Sequence, residues 1–102
     1  MIAVAWFRRE DWGALRAVAA DELDETFDEF AKRVERKLEP LRARGISPAK
    51  VVIDIDLLVK FCRHCGRPVD SPARAEYAAL AMANGCQPEG RPLVIVDDET
   101  RH

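Results

Sequence analysis

The chain has almost no charge imbalance, no long apolar run and few cysteines, glycines or histidines, and each shortage removes a class of protein. Sixteen Lys and Arg stand against 18 Asp and Glu, a net charge of −2. The basic excess that draws a protein to nucleic acid or anionic lipid is missing, so neither is expected as a partner. The apolar opening from Met1 to Phe7 is broken at once by Arg8, Arg9, Glu10 and Asp11. A membrane span needs a far longer run, and an export signal would place its charge before a longer apolar stretch, so a cytoplasmic, membrane-free protein is expected. Three cysteines, an odd number, argue for reduced thiols rather than a disulfide scaffold. No glycine-rich phosphate loop, Walker lysine, nucleophile elbow or His-Glu-x-x-His pattern occurs, and no internal repeat or low-complexity segment.

What is there suits an ordinary globular domain: 102 residues, 48% hydrophobic and 33% charged. That length predicts one compact domain over residues 1–96, followed by a mobile tail at 97–102. Ile2 to Phe7, with Val4, Trp6 and Phe7, reads as a first buried strand. Asp11, Trp12, Leu15 and Val18 carry helical spacing to about Ala20, and core packing is the expected fate of both tryptophans. A long helix follows, with Thr26 and Glu29 in a capping-box pattern, although Asp21 or Asp24 could start it earlier, and with an apolar stripe of Leu23, Phe27, Phe30, Ala31, Val34, Leu38 and Leu41. Six acids lie between Asp21 and Glu29 and seven bases between Lys32 and Lys50. This polarity follows the helix dipole better than it describes a nucleic-acid patch, and Asp28 with Lys32 and Glu29 with Arg33 are expected to pair at i,i+4. Pro40 should kink this helix or restart it as a short last turn. Ile46 to Ala49 is the link into the second strand.

The segment from Val51 to Gly85 holds both chemical motifs. In one parse, Val51 to Phe61 is a long strand and Cys62-Arg63-His64-Cys65-Gly66 is a zinc knuckle, with Cys86, His64 and His102 as the remaining candidate ligands. In the other, Val51 to Ile55 is a strand, Asp54 or Asp56 caps a helix, and Gly66 ends it. Leu58, Phe61, Cys62 and Cys65 fall at i, i+3, i+4 and i+7, Pro68 follows Gly66 at two residues, and no second Cys-x-x-Cys exists, so the helix is the expected form. Ser71 as cap and Pro72 in the first turn begin another helix, anchored by Tyr77 and Leu80 and ended by Gly85. Leu93 to Val96 is a short β-branched run, expected to be an edge strand. The resulting order β-α-α-β-α-α-β predicts an α/β or α+β fold, a sheet of two or three strands covered by about four helices. The first crossover is long enough for parallel pairing and would then be right-handed. The expected core is Trp6, Phe27, Phe30, Val34, Leu38, Ile53, Leu58, Phe61 and Tyr77.

Two resemblances attach to quoted residues. Ile2-Ala-Val-Ala-Trp-Phe-Arg-Arg-Glu-Asp-Trp12, Val51-Val-Ile-Asp-Ile-Asp56 and Pro68-Val-Asp-Ser-Pro-Ala-Arg-Ala75 resemble a family of short uncharacterised bacterial proteins over about residues 2–83. That resemblance implies a bacterial, cytoplasmic setting and no activity, cofactor or catalytic residue. Val51 to Asp56 also resembles the strand that carries the aspartyl nucleophile and second acid of haloacid-dehalogenase-like phosphatases, but the further motifs of that family do not follow.

The sequence therefore points to a small non-catalytic accessory or protein-interaction domain, with an unknown protein partner, a second copy of itself among the candidates, and no cofactor. One alternative is a zinc-binding or redox-sensitive domain using Cys62, Cys65, Cys86 and His102. The other is a divalent-cation site in which strand-end Asp54, Asp56, Asp97 and Asp98 converge, provided that the second and third strands run parallel.

Overall fold

The computed structural model describes residues 2–96. Strand β1 (Ile2–Trp6) leads through a 3-10 turn at Arg9–Asp11 into helix α1 (Trp12–Val18), followed by α2 (Phe27–Ala43), β2 (Pro48–Val52), α3 (Ile55–Cys65), α4 (Ser71–Asn84), a second 3-10 turn at Pro88–Gly90 and β3 (Val94–Val96). The sheet order is β1-β2-β3, with β1 parallel and β3 antiparallel to the central strand. This is an α+β fold with a small mixed sheet and four α-helices, and its radius of gyration is 13.3 Å.

β2 begins earlier than expected, at Pro48, and every residue in it is buried. A proline is tolerated at the first position of a strand, and the ladder around it closes through the Ile2 N–H donating to the Ser47 carbonyl, which asks no hydrogen of Pro48. Successive side chains of a strand point to opposite faces. Trp6 and Lys50 turn toward α2, where the Trp6 ring lies 5.5 Å from Phe27 and 5.3 Å from Phe30, and Lys50 pairs with Glu35 at 2.6 Å. α4 covers the opposite side, packing against β1 and β2, so Val51 and Ile53 are buried in one cluster with Tyr77 and Ala78.

The helices keep their expected punctuation with local corrections. Thr26 and Glu29 form both bonds of the capping box that opens α2, each 3.2 Å long. α2 continues through Pro40 and ends at Ala43, so the proline costs one bond near the helix end and does not divide it. The expected i,i+4 pairs give way to partners supplied by the chain before the helix: Arg9 reaches Asp28 at 2.8 Å, and Asp24 reaches Arg33 at 2.7 Å. α4 is capped by Asp70, not Ser71; the Asp70 carboxylate accepts from the Ala73 N–H at 3.0 Å, which moves Pro72 to the second helical position.

One contiguous apolar core forms. Of the expected core, Phe30, Leu38, Ile53, Leu58 and Tyr77 are buried, while Trp6, Phe27, Val34 and Phe61 are half-buried and pack against it. Trp6 and Phe27 are roofed by cationic side chains, Lys50 at 4.6 Å and Arg9 at 5.0 Å from the ring centres. Phe7, Trp12 and Leu15 also enter the core, and the Trp12 indole N–H donates to the Asp24 carbonyl at 3.0 Å. Leu80 does the reverse and stays 44% exposed. Among the described residues no helix is long and apolar enough to cross a membrane.

Candidate functional site

The Cys-x-x-Cys lies on α3. Asp54 caps that helix through a bond from the Leu57 N–H, 3.1 Å, and Gly66 ends it at φ 64°, with the Arg67 N–H returning to the Cys62 carbonyl at 3.0 Å. Cys62 faces inward and is buried beside Leu58, so burial pushes its thiol up from the ordinary value of 9.0. Cys65 is exposed on the last turn, and Cys86 is half-buried in the loop after α4. Among the described residues no three His, Cys, Asp or Glu side chains form a group that could hold a metal ion. His102, Asp97 and Asp98 lie outside the described residues, as does the expected mobile tail.

The parallel β2–β3 pairing required for converging aspartates is not present. Val94 pairs with Val52 and Val96 with Lys50, so β3 runs away from Asp54. After α3 and α4 the chain returns to the carboxyl end of β2, where Gln87 accepts from the Asp54 N–H, and β3 sets out from that end, so it runs antiparallel to β2. Asp56 is exposed in the first turn of α3.

What converges at the carboxyl end of β2 is a different set of groups, built around Gln87. Its side chain is 4% exposed. The Gln87 carbonyl oxygen accepts from the Tyr77 hydroxyl at 2.8 Å and from the Asp54 backbone N–H at 3.0 Å, while its amide donates to the Pro92 carbonyl at 3.0 Å. Arg91 closes the ring of contacts by donating to the Asp54 carboxylate at 2.9 Å. Burial, with the Asp54 charge behind it, pushes the Tyr77 phenol far above its ordinary 10.0 and keeps it a hydrogen-bond donor. A polar cleft of about 160 Å³ opens on one side of Gln87, bordered by Arg8, Asp54 and Arg91. An apolar hollow of about 460 Å³ opens on the other, bordered by Phe61, Tyr77, Leu80 and Cys86. Sequence reasoning placed Gln87 in a plain loop; the Pro88 and Gly90 beside it marked the turn and not the buried amide.

The second feature is the open side of the sheet. Val94 is 41% exposed and Ile95 44%, yet they are consecutive and so point to opposite faces. The Ile53 N–H donates to the Trp6 carbonyl, which fixes Ala49, Val51 and Ile53 as the β2 residues whose peptide groups face β1. Lys50 and Val52 therefore serve β3 through Val96 and Val94, and the N–H and C=O of Ile95 point outward, where no described strand pairs with them.

The fold and these two features define the class, a small α+β domain with an open-edged mixed sheet. No family model, curated protein or solved structure matches the chain.

Proposed function

We propose that the chain is a non-catalytic protein-interaction domain that meets its partner through β3. The observation that carries this reading is the exposure of Val94 and Ile95 on opposite faces beside a fully buried β2. A short apolar edge with outward-facing peptide groups is a template for an added strand, and leaving it bare invites aggregation. The polar groups at the strand ends support the non-catalytic half. The Tyr77 hydroxyl, the Gln87 amide and the Asp54 carboxylate each serve a structural contact, which leaves no activated nucleophile or base among them.

A photo-crosslinking amino acid placed at Ile95, in cells that make the protein, tests this against the same group at exposed Arg44 on the far end of α2. Discrete protein adducts are expected at position 95 alone, and Val94→Lys should abolish them. Equal labelling at both positions, or none at 95, removes β3 as the contact surface.

A further inference from the structure

The other open edge of the sheet, along β1, carries a different chemistry. It forms the floor of a groove of about 260 Å³ between α2 and α4. Because Ile2 donates to Ser47 and Trp6 accepts from Ile53, residues 2, 4 and 6 bond to β2, and the N–H and C=O groups of Ala3 and Ala5 face the groove. Both side chains are a single methyl, so a second backbone can approach closely. No described strand pairs with this edge.

The charged residues that line the groove are Arg33, Lys37 and Arg74, with no acid among them, in a protein whose net charge is −2. The chain itself shows which ligand these groups take. The segment before α2 lays Leu23 into the groove, Asp21 receives two bonds from the Arg74 guanidinium at 2.9 Å each, and Asp24 receives two from Arg33 at 2.9 and 2.7 Å. Arg74 meets both oxygens of Asp21 in the two-point match of guanidinium and carboxylate, while Arg33 sets two N–H groups on the single Oδ2 of Asp24. Lys37, further along α2, has no carboxylate partner among the described residues, so the basic lining extends past the acids that the chain supplies.

We propose that the β1 edge binds an extended acidic peptide, which adds as a strand against Ala3 and Ala5 and sets a carboxylate on Lys37. This surface is independent of β3. It is separated from β3 by the whole of β2, and it selects by charge where β3 presents only apolar side chains.

The probe is a fluorescein-labelled octapeptide of alternating Asp and Val, followed by anisotropy at low salt, with an alternating Lys and Val peptide and an oligodeoxythymidine as competitors. Saturable binding is expected, weakened about fivefold or more by Lys37→Glu and unchanged by Arg44→Glu, since opposite charges steer and hold such contacts. Amide hydrogen exchange should slow at Ala3 and Ala5 in the complex and remain unaltered at Gly66. Three results overturn the proposal: no binding at about millimolar peptide, equal weakening by Arg44→Glu, or binding without added protection at Ala3 and Ala5. Equal competition by the oligonucleotide also overturns it and makes the groove a general polyanion surface. Loss of crosslinking at Ile95 with peptide binding intact would remove the β3 reading and leave this one standing.

Discussion

Gln87 shows how much of this small molecule can depend on one amide. Its oxygen holds a phenol and the backbone N–H of a helix cap, and its nitrogen holds the carbonyl of Pro92, so three chain segments meet on one side chain. A buried donor left without a partner costs more than the bond itself contributed. Gln87→Leu, close in size, should destabilise the protein by about 2–4 kcal/mol because two buried donors and one carbonyl lose their partner together. Tyr77→Phe should cost only about 1 kcal/mol, since it removes a donor and leaves Gln87 bonded to Asp54. Urea titration of both variants checks the order, and near-equal losses would mean that Gln87 contributes packing only. None of this was legible in the string Cys86-Gln-Pro-Glu-Gly90, since burial of a loop amide depends on residues 10 and 33 positions away.

At the scale of elements, helix signals carried furthest. α3 has its carboxylate cap, its stripe and its glycine stop in the sequence, and the structure retains all three. That placement sets three thiols in three environments, and reactivity follows the access of the thiolate. Cys65 should react with a thiol reagent within the dead time of mixing, Cys86 more slowly, and Cys62 only as the protein unfolds. Cys65→Ser should leave stability within about 0.5 kcal/mol, because nothing of the core rests on an exposed side chain. A chelator-treated melt of wild type beside this variant measures the same point, and loss of the cooperative transition in both would replace the helix with a zinc-dependent fold. Strands were harder to delimit. β2 was expected at Val51 to Ile55 but runs from Pro48 to Val52: its start lay hidden because a proline normally argues against a strand, and only its pairing with Ile2 shows that the ladder makes no demand on the missing hydrogen.

For the molecule as a whole, two partly buried ion pairs tie elements distant in sequence. Asp21 with Arg74 joins the α1–α2 linker to α4, and Glu35 with Lys50 joins α2 to β2. The bond from Arg74 lowers the Asp21 carboxyl below its ordinary 3.8, and the bond from Lys50 lowers Glu35 below 4.5. The unfolded chain then takes up these protons more readily than the folded one. Their stabilisation is complete above the ordinary values and disappears as the pH falls through the lowered ones. The melting temperature should therefore hold on this account from pH 7 to about pH 5 and decline below about pH 4.5. Asp21→Asn with Glu35→Gln should melt lower at pH 7 and decline less steeply in acid, a comparison that circular dichroism makes directly. The exposed pairs Arg9 with Asp28 and Lys60 with Glu89 should add little, because solvent screens them.

Local periodicity and end signals were sufficient for the element order, the capping box at Thr26, a carboxylate cap for α3 at Asp54 or Asp56, the stop at Gly66 and five of the nine expected core residues, because each depends on residues within one or two turns of one another. Asp70 displaced Ser71 as a cap because two good caps stood side by side and the start of the helix chose between them. The direction of β3, the exposure of Leu80, Val94 and Ile95, the burial of Gln87 and the basic groove along β1 were decided only in three dimensions. Each depends on which surfaces remain once four helices have been placed against three strands, and a one-dimensional pattern records which residues can be buried but not which of them find cover.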